Sequence, residues 1–392
     1  MGKESEMTQI TEVADATPRP TPPPSVIAKS AEIKYYTASQ FQLMWWKFKK
    51  HRLALIGMGL LAIFVFIALF AEFLSPYTPG ARTPNYLFGG PQVLHFVDAE
   101  GNFHLRPFTY ALDAAMDPET FLLEVKEDTS DPWPVYFFVK GEPYKMWGLI
   151  ESDIHLFGVK EGHLHLLGTD QLGRDILSRL FHATRTSLTI GLVGLFISFF
   201  LGLIIGGISG FFGGTIDDVI QRFIEFIRSI PTLPLWMALA AALPREWSPQ
   251  RVYLTITILL GLLGWTHLAR RVRGKLLSLR EEDFVVAARI AGSSDSRIIA
   301  RHLLPSFLSY IIVDLSISFP YMILAETSLS FIGLGLRAPV ISWGVLLQDA
   351  QNIQAIALYP WLFTPVAFVI VSVMAFSFVG DGMRDAADPY SR

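Results

Sequence analysis

Residues 186–216 run for 31 positions without a charged side chain. As a helix at ~1.5 Å per residue this run is longer than the ~30 Å hydrocarbon core of a bilayer, so it predicts one crossing with residues to spare. Its Gly206-Gly207, Gly210 and Gly213-Gly214 cluster predicts close helix contacts and the point where the chain leaves the membrane. Five more apolar stretches, residues 53–71, 229–243, 252–269, 307–324 and 361–379, bring the expected number of spans to six. Only 17% of the residues are charged, which is low for a soluble chain and favours a membrane class. A net charge of −3 gives no basis for nucleic-acid binding. With no cysteine, the chain can build neither a disulfide nor a thiolate metal site.

The segments between the spans differ in character. Residues 1–37 are polar and carry PRPTPPP, so a disordered tail is expected; no early apolar core with a small-residue cleavage site marks a secretory signal. Residues 38–52 place Phe41, Met44, Trp45 and Phe48 on one helical face beside Lys47, Lys49, Lys50 and Arg52, the pattern of a helix lying in the membrane interface. The first span, within 53–74, ends at Ser75-Pro76. Residues 75–167 are the one soluble-looking external stretch, too long for a simple connection, where Trp133, Trp147 and residues 135–140 suggest short strands or an irregular compact module. Its His155, His163 and His165 read as solvated or core histidines, and no metal site is expected. Residues 168–187 carry a stripe of Leu172, Ile176, Leu180 and Ala183, which predicts an amphipathic helix on the outer surface, with Asp170, Arg174 and Asp175 as a capping and ion-pair cluster. Pro231 and Pro234 predict a kink or unwinding in the third span. Asp314 at mid-span of the fifth crossing and Glu326 near its far end are candidates for lining a path or locking the bundle, because intramembrane carboxylates face an interior. Residues 380–392 form a short polar end.

The loop at 270–305 carries eight Lys/Arg against four Asp/Glu between two apolar runs, which places it, with both termini, on the cytoplasmic side by the positive-inside bias. Its inner pattern is two short helices with a break. Glu281, Glu282 and Asp283 suit a first helical turn. Phe284, Ala287, Ala288 and Ala291 fall on one small apolar face. Gly292 suits a left-handed stop, Ser294 or Asp295 a second cap, and Ile298, Ile299, His302 and Leu303 a second helix that Pro305 closes. Such a knob fits a groove on another protein.

Ala287-Ala288, Gly292 and Leu303-Leu304-Pro305 stand at spacings that resemble the coupling motif of ABC importer permeases, with Val286 where that family usually has Glu and His302 where it has Ile. The string LGTDQLGRDILSRL at 167–180 and SLSFIGLGLRAPVISWG at 328–344 resemble the C-type permease subunits of dipeptide and oligopeptide importers. The resemblance implies an all-α polytopic protein: a six-span type I importer transmembrane domain over 168–379 plus the first span, with an insertion after that span. It implies ATPase coupling through Ala287, Ala288, Gly292, Leu304 and Pro305. It also implies a second permease subunit, two ATPase subunits that bind ATP and Mg, an external solute-binding protein, and a bacterial cytoplasmic membrane. No cofactor is expected in this chain. It has no G-x-x-x-x-G-K-[ST], G-x-S-x-G or H-E-x-x-H motif, so it is not expected to be an enzyme by itself. Relatives of the same subfamily move nickel, opines, glutathione or oligosaccharides, which leaves these as alternatives to di- or oligopeptides. An ion-coupled secondary transporter would need mid-membrane coupling sites and internal repeats, which Asp314 alone does not supply. A membrane-anchored receptor or scaffold would not need the coupling loop.

Overall fold

The structure, a computed structural model, describes residues 39–116, 123–244, 246–351 and 357–387. The tail expected to be disordered at 1–37 lies outside the described residues, as do 388–392. The chain enters through α1 (Gln40–Phe48), opened by a reciprocal cap in which the Ser39 hydroxyl accepts from the Gln42 N–H and the Gln42 side chain accepts from the Ser39 N–H. The aromatic stripe of α1 divides. Met44 and Phe48 pack on Val379, Met383 and Ala386 near the other end of the chain, while Phe41 and Trp45 stay exposed. The Lys49 ammonium lies over the Trp45 ring at 5.2 Å, an arrangement suited to the headgroup layer. Next come α2 (Arg52–Leu69), an apolar helix that leaves most of its side chains facing outward, and the single turn α3 (Ala71–Leu74).

The inserted stretch corrects the all-α expectation. It folds as an antiparallel meander of β1 (His95–Val97), β2 (Phe103–Met116), β3 (Leu123–Met146) and β4 (Ile150–Val159), with neighbours in sequence order. Phe108, Tyr110, Val135, Val139 and Tyr144 are its buried apolar residues, with Thr109 and His155 buried beside them. Pro132 and Pro134 sit beside the register shift between β2 and β3, where a residue without an N–H costs the ladder least.

The helical bundle begins with α4 (Ile176–Phe212), one unbroken helix of 37 residues. The surface helix expected at 168–187 is therefore a turn up to Asp175 followed by the first turns of α4. Gly213, at φ +66, ends α4 and starts α5 (Gly214–Ser229). A break at Ile230-Pro231 then bends the chain by 81° into α6 (Thr232–Ala241). The sequence placed a whole span at 229–243; α6 is only ten residues long, ~15 Å of rise, and crosses a bilayer only together with α5. α7 (Pro249–Leu279) runs well past the expected end at 269, so Arg270, Arg271, Arg273 and Lys275 stand on a helix rather than in a loop. α8 (Asp283–Ile290) and a short helical run through Asp295–Arg297, a π-helical turn Ile298–Leu303 and Leu304–Ser306 make up the 280–307 loop. After it come α9 (Leu308–Phe331), α10 (Trp343–Gln348) and α11 (Thr364–Ala387). α11 carries helix seven residues beyond Gly380, where a polar tail was expected.

Five of these helices (α2, α4, α7, α9 and α11) are long and apolar enough to cross a membrane, and the bent pair α5–α6 makes up to six. The centre of the bundle is the α4–α7 seam, whose close approach depends on glycine. A Cβ on Gly202 would lie 2.8 Å from Leu268 Cβ, on Gly206 2.4 Å from the Ala269 carbonyl, and on Gly210 2.7 Å from the Arg273 carbonyl. These are small residues at every fourth position of one helix, Gly206 and Gly210 facing the backbone of the other and Gly202 the Leu268 side chain. α4 and α7 both end where the 280–307 loop packs, since Phe211 and Leu276 share one cluster with Val285 and Ile298. α7 starts near the opposite end, so α5–α6 carries the chain back across the bundle.

Candidate functional site

The 280–307 loop is built as an exposed apolar knob on a buried root. Val285, Ile298, Leu303 and Phe307 are 3% exposed or less and pack on Phe211 of α4, on Leu268, Val272 and Leu276 of α7, and on Ile311 of α9. The Arg289 guanidinium lies over the Phe211 ring at 5.8 Å and adds a second fastening. On the other side, Phe284 and Val286 are each 42% exposed and Ile290 is 83% exposed. The small apolar face of residues 284, 287, 288 and 291 therefore points away from the bundle except at Ala288. Val285 turns inward with half-buried Ala288, while Phe284, Ala287 and Ala291 face outward. Gly292 holds φ +77, and nothing lies within 4 Å of where its Cβ would be. Its N–H and that of Ser293 bond to the carbonyls of Arg289 and Ala288, which closes the end of α8. Ser294 occupies the cap position of the next turn but makes no side-chain cap bond; its hydroxyl faces that of Ser296 at 3.4 Å. Leu304 is half-buried at the root and Pro305 is exposed beside it.

The two intramembrane carboxylates occupy different settings. Asp314 is the seventh residue of α9, ~9 Å from its start, so it lies toward the loop end and not at mid-span. It is 3% exposed and ion-paired with the Arg271 guanidinium. The pair borders a cavity of about 780 Å³ that Lys275, Tyr310 and Arg384 also line. Glu326 is fully enclosed. Its Oε1 accepts from the hydroxyls of Ser330 (2.8 Å) and Ser342 (2.6 Å), and its Oε2 from Ser187 (3.3 Å). The same Ser187 hydroxyl accepts from the Trp343 N–H, and the Trp343 indole donates to Thr184. Glu326 thus ties α4, α9 and α10 together, a fastening geometry in which every donor has a partner. Sequence reasoning missed the serines, since a lone Ser in an apolar run carries no signal of what it faces.

At the opposite end the 165–179 stretch forms a knot. Asp170 accepts from the Leu172 and Arg174 N–H groups and binds the side chains of Arg174 and Arg179. Asp175 caps α4 through the Ser178 N–H at 2.7 Å and meets His165 at 3.1 Å. Asp349, 3.6 Å from Arg179, joins from the segment after α10; burial pushes its carboxyl above the usual range although Arg179 and Arg174 pull the other way. The Trp361 indole donates to the Thr169 carbonyl and brings in the entrance to α11. His155 meets the Ser75 and Glu142 carbonyls with its two ring nitrogens, at 2.5 and 2.9 Å. His155 and His165 are thereby engaged as core histidines. Among the described residues no group of His, Asp and Glu is placed to hold a metal.

"Binding-protein-dependent transport system inner membrane component" matches residues 198–392, and "N-terminal TM domain of oligopeptide transport permease C" matches residues 39–91. The chain belongs to the binding-protein-dependent transport system inner membrane component family. It is 37% identical over 229 residues to the oligopeptide transport system permease protein OppC of Bacillus subtilis, covering 58% of this chain and 72% of that protein. It is 33% identical over 352 residues to the dipeptide transport system permease protein DppC of Lactococcus lactis, covering 90% of this chain and 91% of that one. A chain of the inward-facing MetNI methionine ABC transporter is a looser likeness, with 19% identity and a TM-score of 0.41 over 53% of this chain and 96% of that one. This permease is a membrane transport component.

Proposed function

We propose that this permease is one half of the translocation path of an ATP-driven importer of di- or oligopeptides, and that the 280–307 knob is where it takes force from an ATPase. One observation carries the reading: the apolar side chains of α8 face outward, while the residues beneath them are clamped between the ends of α4, α7 and α9. An exposed apolar surface rimmed by polar residues marks a protein contact. A displacement of that surface moves three membrane helices at once, because packed cores shift as units. Ala287, Gly292 and Pro305 contribute to the outer surface and its turn, and Ala288 and Leu304 to the root. Asp314 and Glu326 lock the bundle rather than bind solute. The peptide substrate is supported by the names of the relatives, OppC and DppC.

The topology that goes with this reading has six crossings, counting α5–α6 as one, with the knob and both termini in the cytoplasm and the sheet outside. The Lys/Arg excess of the loop supports it, as does the return of the chain across the bundle between α4 and α7. A second permease subunit completes the path, two ATPase subunits bind ATP and Mg, and an external binding protein delivers the solute, in a bacterial cytoplasmic membrane. The chain itself carries out no hydrolysis. The test is reconstitution with the ATPase subunits, a second permease and a binding protein of a di- or oligopeptide importer. ATP inside or outside the vesicle, on the knob side, should drive uptake of a labelled oligopeptide; nickel or an oligosaccharide transported in preference to peptides would contradict the substrate class. Uptake driven by an ion gradient without ATP would contradict the mechanism.

A further inference from the structure

The turn between β3 and β4 is Trp147-Gly148-Leu149, closed by bonds from the Gly148 and Leu149 N–H groups to the Lys145 and Met146 carbonyls. A hairpin tip in water is ordinarily polar. Here Trp147 is 49% exposed, Leu149 81% and Ile150 56%, three large apolar side chains at one apex. The tip is tied to the first membrane helix. The Trp147 indole donates to the Leu69 carbonyl at 2.9 Å, and the Trp147 N–H reaches the Glu72 carboxylate at 3.4 Å.

Leu69 is the last residue of α2, whose 18 residues rise ~27 Å, close to the thickness of the hydrocarbon core. The carbonyl that Trp147 holds therefore lies at the hydrocarbon border if α2 crosses the membrane. Arg185 marks the same level: its guanidinium holds Glu72 in a two-pronged pair and donates to the Ala68 carbonyl at 2.6 Å. An ion pair at that depth belongs to the headgroup layer. Outward-facing Phe66 and Leu69 of α2 continue into the exposed apolar surface of the tip, and Phe138, 68% exposed, lies 6.1 Å from Phe73 on the same side. Among the described residues, Trp147 and Phe138 are also two of the three non-glycine residues with positive φ, at +53 and +54. Bulky side chains seldom take that backbone conformation, and here it accompanies two aromatics exposed next to the end of a span.

We propose that the β3–β4 tip is a membrane anchor, with Trp147, Leu149 and Ile150 seated in the interfacial layer of the leaflet where α2 ends and holding the sheet down on the bilayer. Continuity with the outward-facing surface of α2, and the depth fixed by Leu69 and the Arg185–Glu72 pair, make lipid the occupant. Tryptophan suits that layer because its indole has both an apolar body and a polar edge.

The chain has no cysteine, so single-cysteine variants carry one environment-sensitive fluorophore each. Leu149→Cys and Ile150→Cys probe the tip. Ser130→Cys, exposed on β3 away from the tip, is the reference. The full chain is placed in phosphatidylethanolamine–phosphatidylglycerol vesicles, with iodide on both sides or with lipids carrying a nitroxide near the headgroup. The anchor predicts that both tip probes are quenched severalfold more by the lipid nitroxide than the Ser130 probe and severalfold less by iodide. Tip probes open to iodide and untouched by nitroxide overturn it, because the tip then stands in water. Tip probes shielded from both also overturn it, because protein and not lipid then covers them.

Discussion

Gly292 owes its place to geometry and not to crowding within the chain. At φ +77 a side chain costs about 1–2 kcal/mol locally, and the space around it in this chain is open. Gly292→Val should therefore leave insertion and membrane amount normal while uptake falls severely and ATP hydrolysis stops responding to loaded binding protein. Full uptake with responsive hydrolysis would move the docking site elsewhere on the loop. Glu326 makes a different prediction. Glu326→Ala strips the acceptor from three buried serine hydroxyls, and each buried group left unpaired costs about 1–3 kcal/mol. The purified variant should melt well below the parent, and Glu326→Gln, which keeps one acceptor oxygen, should fall in between; equal melting of all three would remove the fastening role. Asp314→Leu leaves the Arg271 guanidinium without its partner. It should reduce yield and melting temperature, and adding Arg271→Leu should restore part of both. A double variant no better than the single one would show that Asp314 acts through something other than that pair.

Among the elements, the α4–α7 seam offers a prediction on neighbouring residues. A Cβ at Gly206 would meet the Ala269 carbonyl at 2.4 Å, whereas at Gly207 the first atom met is Leu276 Cδ1 at 4.0 Å. Gly206→Ala should cost about 1–3 kcal/mol of stability by forcing backbones apart, and Gly207→Ala should be close to neutral. Thermal melting in detergent decides it, and equal loss at both positions would contradict the close approach. The glycine cluster was legible in the sequence as a contact surface, but its partner was not, because nothing in a run of glycines names the helix it faces. The break at Pro231 was legible from the missing N–H. The shortness of α6 was not, since apolar residues 229–243 read the same whether straight or bent. In α8 the choice between Phe284 and Val285 as the inward residue was beyond periodicity: adjacent positions are ~100° apart, and the small alanines fit either face. The end of α7 was misplaced because arginines on a helix emerging from a bilayer look like a basic loop, although their stems keep packing along the helix.

In the whole molecule, the bundle and its knob were largely readable, since uncharged runs and a charged loop follow from the bilayer as solvent. The sheet was readable only as a compact module, because the β2–β3–β4 meander depends on pairing between distant segments. Replacing residues 95–159 by a short flexible linker should lower uptake and weaken binding-protein association while leaving the ATPase subunits bound. Unchanged uptake and association would make the sheet dispensable for delivery. If the knob takes force from an ATPase, α8 presents its outer side to that subunit and its inner side to the bundle. A photo-crosslinking residue at Ile290, 83% exposed, compared with one at Val285, fully buried, tests it most directly in the assembled transporter. Ile290 should crosslink to the ATPase subunit and Val285 only within the permease; an Ile290 probe that never captures the ATPase in a transporter active in uptake would place the contact elsewhere.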